Sequence, residues 1–390
     1  MHPNVPHLRF PEFHGEWEEH GLSEYLDFKN GLNPDSKRFG KGIKFISVMD
    51  ILNNPVITYD CIRASVQATD AEMSSFSVEN GDILFQRSSE TLEDVGRANV
   101  YIDDKVAVFG GFVIRGKKKA NYNPLFFRYL LSSPYARKRI IPMGAGAQHF
   151  NIGQEGLSKV LLNFPSIEEQ TKIASLLHLL DERIATQSKL IEKLESLIKG
   201  IVDCTILRKE KNAIVGDVCS ISEQIRAEAN IDDIITVRLH GNGVCKSSAE
   251  NLQLGATQYY RRRAGQLIYG KQNFHNGAIG IVPISLDNGI TSKDIPSFDI
   301  DEMKCNSVYL LAQLQSPQYY KPAEALTTGT GSKRLKEETF LKLPIVLPNK
   351  REQDNIAVLI HRASMNLDHA KRLLELLSIQ KQFLLRQMFI

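Results

Sequence analysis

Two stretches of this chain repeat one pattern of apolar residues at steps of three and four, and they lie 183 residues apart. In the first, Ser166–Thr205, the pattern runs Ile173, Leu177, Leu180, Ile184, then Ile191, Leu194, Ile198 and Ile201, interrupted only at Gln187. The stretch has no proline and a single glycine, so a long helix packed on a partner helix is expected rather than a helix lying on a sheet. Pro165 and Ser166 form a stop-and-cap signal, and Glu168 and Glu169 suit the positive end of a helix dipole. The second stretch, Pro348–Ile390, supplies the partner: Ile356, Ile360, Leu367, Leu374, Leu377 and Leu384 occupy the same seam. That seam is weaker, with Ala363, Ala370 and Lys381 at apolar positions, which suggests a looser far end or a place where another helix intrudes.

The repeat extends well beyond the helices. Glu169-Gln170 aligns with Glu352-Gln353, Ser133-Pro134 with Ser316-Pro317 and Gly146 with Gly329, while Gly81-Asp82-Ile83-Leu84-Phe85 meets Gly265-Gln266-Leu267-Ile268-Tyr269 at a shift of 184. A period of this size marks two domain-sized copies, not a solenoid. The expected class is α+β: two tandem mixed α/β domains separated by a pair of long antiparallel coiled-coil helices, with an approximate internal two-fold. The boundaries read as a first globular domain at 1–158, a spacer helix region at 159–206, a second globular domain at 207–340 and a terminal helix region at 341–390. About forty helical residues span roughly 60 Å, enough for the pair to act as a ruler as well as a spine.

Within each copy, short apolar runs such as KFISVMDI, GDILFQRS and KVAVFGGFVI read as strands. Helical patterns follow Asn123-Pro124 and Asn306. The glycine segments Gly144-Ala-Gly146 and Gly329-Thr-Gly331 allow either a close approach to a phosphate or a plain connector.

Composition excludes several classes. No apolar run approaches a membrane span, and the N-terminal residues do not form a secretory signal. The five scattered cysteines include no C-x-x-C pair, so reduced thiols and a cytoplasmic location are expected. Net charge is only +3, but residues 105–159 hold ten Lys/Arg against Glu155 alone, and residues 237–285 hold six against Glu250 alone. Each copy thus carries a basic portion that a polyanion would sense.

No catalytic constellation emerges. Gly111–Lys118 approximates a P-loop, but Lys118 stands where Ser or Thr must hold magnesium, and the segment lies in a strand-like run. Asn53-Asn54-Pro55 does not complete the Asn-Pro-Pro-aromatic motif of amino-methylating enzymes, Pro34-Asp35 lacks a downstream acid-x-Lys, and His361 and His369 are wrongly spaced for helical zinc ligation. No metal site is expected.

What remains are side chains that read nucleic acid. Gln86 and Arg87 follow the Gly81–Phe85 strand, and Lys271, Gln272, Asn273, His275 and Asn276 follow its counterpart; these are candidate base contacts. Lys117, Lys118, Lys119, Arg261, Arg262, Arg263, Lys333 and Arg334 are candidate phosphate contacts, which position without specifying. For each of them a solvated charged face is the alternative.

The duplicated P-x-x-x-E-Q-x-x-I-A helix entry (Pro165/Glu169/Gln170/Ile173/Ala174 and Pro348/Glu352/Gln353/Ile356/Ala357) resembles that of type I restriction–modification specificity subunits. The opening Arg9-Phe10-Pro11…Trp17-Glu18 and the paired G-[DQ]-[IL]-[LI]-[FY] strands are similar too, and the resemblance spans essentially the whole chain. It implies two target-recognition domains, each reading half of a split double-stranded DNA site, with the helices setting the gap. It further implies docking of two modification (methyltransferase) subunits and of restriction (translocase/nuclease) subunits. No cofactor is expected in this chain; S-adenosylmethionine, ATP and magnesium belong on the partners, where adenine methylation needs the base flipped out. The rival readings are a self-contained DNA methyltransferase or nuclease, and a coiled-coil protein adaptor without DNA binding.

Overall fold

The structure, a computed structural model, describes residues 4–247, 257–329 and 333–390. Glu250 and the Thr330-Gly331 part of the second glycine segment lie outside these residues. The chain divides into two compact units, Met1–Ser188 with Leu373–Ile390, and Lys189–Arg372. Both divisions fall inside long helices, Ile167–Val202 and Lys350–Gln387, so each unit holds part of both.

In the first unit, β1 (Leu26–Asn30), β2 (Ile83–Gln86), β3 (Ala98–Val100) and β4 (Val113–Lys118) form an antiparallel sheet in the order β1-β4-β2-β3. Ile83 and Phe85 enter the main core, whereas Leu84 packs with Tyr101, Phe109 and Val113 on the opposite face. A strand covered on both faces reads as an unbroken apolar run. Gly81 enters β2 at φ +95°, and the Asp82 carboxylate accepts from the backbone N–H groups of Glu79 (3.0 Å) and Lys118 (2.9 Å). The run KVAVFGGFVI is not one strand: Gly110–Phe112 turns the chain between Ala107–Phe109 and β4.

Helix α1 (Pro124–Ser132) starts at Asn123, whose side chain accepts from the Phe126 N–H. Ser133 then caps α2 (Pro134–Ile140). The Gln170 side chain ties the long helix to this cap, accepting from the Asn123 N–H (3.1 Å) and donating to the Pro165 carbonyl (3.0 Å). Beside it Glu169, 1% exposed, is held by Arg9 (2.7 and 2.8 Å) and the Trp17 indole N–H (3.4 Å). The Phe389 ring lies 6.3 Å from Trp17, while Lys381 meets Asp181 at 2.5 Å. In this unit the start of one long helix therefore sits by the end of the other, an antiparallel pair. Lys381 is thus neither a loose end nor a gap for an intruder. It neutralises a half-buried aspartate that Arg128 (3.0 Å) and Tyr129 (2.9 Å) also reach.

The second unit repeats the plan. Strands β5 (Cys219–Ile221), β6 (Leu267–Tyr269), β7 (Ile279–Ile281) and β8 (Ser297–Ile300) pair in the order β5-β8-β6-β7, matching the first sheet. Gly265 (φ +86°) and the Gln266 side chain, which accepts from the Arg263 N–H (2.9 Å), reproduce the turn into the central strand. Helices α3 (Ser307–Leu314) and α4 (Pro317–Tyr320) follow Asn306 and Ser316. Gln353 accepts from the Asn306 N–H (2.9 Å) and donates to the Pro348 carbonyl (2.8 Å), as Gln170 does. Lys209 pairs with Glu352 and Lys371 with Glu195 (2.8 Å), which makes the helix segments antiparallel here too.

The seam is buried at Ile173, Leu177, Leu180, Ile356, Ile360, Leu377 and Leu384, and half-buried at Ile184, Ile191, Leu194, Ile198, Leu367 and Leu374. Ala363 and Ala370 are buried as well, as small residues are where helices approach closely. No helix among the described residues is long and apolar enough to cross a membrane.

Candidate nucleic-acid interface

Beyond the C-terminal end of the central strand, each unit brings three loops together with the same hydrogen bonds. In the first, the Arg87 N–H donates to the Phe112 carbonyl (2.9 Å) and its carbonyl accepts from the Ile152 N–H (2.9 Å). In the second, the Lys271 N–H donates to the Asp294 carbonyl (2.9 Å) and its carbonyl accepts from the Leu335 N–H (2.9 Å). Arg87 and Lys271 are therefore structural equivalents, as are Phe112 and Asp294. The glycine segments are the third loop. Ala145 and Asn151 exchange backbone bonds (2.9 and 2.8 Å), and so do Thr328 and Arg334 (3.0 and 2.9 Å). Gly146 sits at φ +147°, where an added Cβ would lie 2.0 Å from the His149 carbonyl oxygen, and Gly329 at +126°. In each copy the described residues make a pinched hairpin docked on the strand end.

The candidate base contacts fall into distinct environments. Arg87 is half-buried, one guanidinium nitrogen donating to the Gly111 carbonyl (3.2 Å). Gln86, the last residue of β2, is interior: it is 5% exposed and its amide donates to the Ser88 carbonyl (2.9 Å). That burial corrects the expectation of an outward base reader at Gln86. Lys271 is held by Glu337 (2.7 Å). Gln272 and Asn273 are exposed, and the Asn276 amide lies 3.3 Å from both Asn273 and the His275 ring.

Among the candidate phosphate contacts, Lys119, Arg261 and Arg263 are exposed. Lys117 pairs with Glu79 (3.1 Å), Lys333 with Glu324 (3.1 Å) and Arg334 with Asp294 (3.2 Å); all these partners are open enough to solvent for the cations to exchange. Lys118 donates to the Tyr122 carbonyl (3.1 Å) and lies over that ring. Arg262 is a correction. It is 0% exposed, its guanidinium bonded to Thr291, Ser297, Gln224 and the Ile295 carbonyl, and burial pushes its pKa down to about 10.

Phe112, Ser88, Asn151 and Asp294 belong to these loop clusters and escaped the sequence reading. The Ser88 hydroxyl donates to the Asn151 side chain, and Phe112 stands 69% exposed on its turn. The paired glycines 110 and 111 were the available sign that the apolar run breaks there. Among the described residues no group of three or more His, Cys, Asp and Glu side chains is gathered to hold a metal ion.

Comparison with known proteins bears on these geometries. Residues 14–196 match the family described as the type I restriction modification DNA specificity domain. The chain is 24% identical over 204 residues to the putative type I restriction enzyme MjaX specificity subunit of Methanocaldococcus jannaschii, across 51% of this chain and 47% of that protein. It thus spans about half the length of the curated relative it matches. In fold it is similar to the type I restriction–modification system S subunit from M. genitalium, with a TM-score of 0.66, 13% identity and 99% of each chain covered. A chain from a structure addressing complex assembly and conformational transition of the type I R-M system gives a TM-score of 0.50 at 13% identity, covering 95% of this chain and 96% of that one.

Proposed function

From the match of residues 14–196 to the type I restriction modification DNA specificity domain family, we propose that the chain is the DNA specificity subunit of a type I restriction–modification complex. Each globular copy reads one half of a bipartite target, and the paired helices set the gap between the halves. The observation that carries this reading is the repeated loop cluster at the end of β2 and of β6. The same backbone bonds hold different side chains there, Arg87 and Phe112 in one copy and Lys271 and Asp294 in the other. Repeated scaffolding under changed surface chemistry suits two readers of unlike sequences.

The partners proposed are double-stranded DNA, two modification subunits and restriction subunits. On the helices, exposed Leu179, Leu376, Ile379 and Phe383 in one unit and Val358, Leu359 and Met365 in the other offer apolar surface for the modification subunits. S-adenosylmethionine, ATP and magnesium are assigned to those partners, and this chain to a non-catalytic role in the cytoplasm.

The test is methylation mapping in cells carrying the chain with its modification subunit. Methylated adenines confined to one bipartite sequence with a fixed, indifferent gap support the proposal. Methylation or cleavage by the purified chain alone would make it an enzyme, and assembly without DNA protection would make it an adaptor.

A further inference from the structure

We infer that Phe112 reads a base in the first half-site, its ring packing on the 5-methyl group of a thymine, an assignment that rests on the DNA-specificity reading above. Phe112 is 69% exposed, yet its turn is firmly built. The Val113 N–H donates to the Gly110 carbonyl (2.8 Å), the Arg87 N–H to the Phe112 carbonyl (2.9 Å) and the Arg87 guanidinium to the Gly111 carbonyl (3.2 Å). Glycines let neighbouring chain press against it. A Cβ at Gly31 would lie 2.1 Å from the Gly110 carbonyl oxygen, one at Gly110 2.6 Å from the Phe45 ring and one at Gly111 1.8 Å from the Asn33 side-chain oxygen. The backbone beneath the ring is thus fixed, and Phe112 together with exposed Phe39 and Met49 forms an apolar patch of the kind that serves a contact outside the domain.

The surroundings select the contact. Phe112 borders a hollow of about 410 Å³ shared with Phe39 (43% exposed) and Met49 (60% exposed). Its polar lining side chains, Asn33, Ser47 and Ser88, are uncharged, so no carboxylate in the lining repels a phosphate backbone. Arg87, the candidate base contact of this copy, is bonded to the same turn. Beside such a group the apolar feature of a DNA groove edge is the thymine methyl. The equivalent position in the other copy is Asp294, whose carboxylate accepts from Arg334 (3.2 Å). Methyl reading at this position is therefore confined to one half-site.

The experiment uses the complex of the full chain with its modification subunits. Once the bipartite site is mapped, duplexes are made with each thymine replaced singly by deoxyuridine, and affinity is measured for wild type, Phe112→Ala and Phe112→Leu. One replacement in a single half-site should weaken wild type roughly threefold to fivefold, the worth of about one buried methyl group. Phe112→Ala should bind the natural site more weakly and be indifferent to that replacement, while Phe112→Leu keeps part of the penalty. Indifference of wild type to every replacement, an undiminished penalty in Phe112→Ala, or no penalty in Phe112→Leu overturns the inference. So does a Phe112→Ala variant that loses subunit assembly with DNA affinity unchanged, since the ring would then contact protein. Failure of the wild-type complex to protect any bipartite site would instead sink the functional reading itself.

Discussion

Arg87 and Arg262 were both expected on DNA, and the fold puts them to different uses. Arg262 holds together the interior of the second unit through four partners. Replacing it with Met should lower stability by about 2–4 kcal/mol in urea unfolding, the range for breaking a buried charged hydrogen-bond set, with half-site preference intact. Arg87→Ala should relax discrimination in one half-site by ~1–3 kcal/mol. Equal weakening on every sequence would make Arg87 a phosphate contact. The three arginines at 261–263 show what was legible. Arg261 ends a strand, side chains alternate along such backbone, and only the middle guanidinium turns inward. Gln86 could not be placed this way, because its burial depends on Ser88 and on the loops folded over the strand end.

At the scale of elements the helix pair was the most readable part, since a heptad is a local pattern. Its limits came close: Ser166–Thr205 was expected and Ile167–Val202 is found, followed by one wider helical turn at Asp203–Leu207. The glycine hairpins were not readable, because their positions depend on Arg87–Ile152 and Lys271–Leu335 bonds between residues distant in sequence. Leu177→Asp, at a fully buried seam position, should destabilise the pair more than Leu194→Asp, where the side chain is half-buried; chemical unfolding of both variants checks the order. Asp181 makes a separate prediction. Burial alone would raise its pKa, but Lys381 and Arg128 outweigh that and hold it below the ordinary aspartate value of about 3.9. A carboxylate with a depressed folded-state pKa adds stability that is present above its unfolded value and lost as pH falls through the folded one. Lys381→Ala should therefore cost about 1–3 kcal/mol at neutral pH, a loss that narrows below roughly pH 4 in acid titrations of both proteins.

For the whole molecule, tandem duplication was legible from paired motifs. Their shared roles explain why they recur: Gln170 and Gln353 fasten each long helix to a helix cap, and Gly81 and Gly265 turn the chain into each central strand. If the helices act as a ruler, matched insertions of four residues in both should lengthen them by about 6 Å and change the accepted gap by roughly two base pairs, leaving both half-sites as they were. Methylation mapping with the lengthened chain reads this directly, and an unaltered gap refutes the ruler. The most direct test of a doubled reader on a paired-helix spine is a footprint of the assembled complex on its mapped site. Two protected patches flanking base pairs whose identity is indifferent are expected; a single continuous patch, or none, contradicts it.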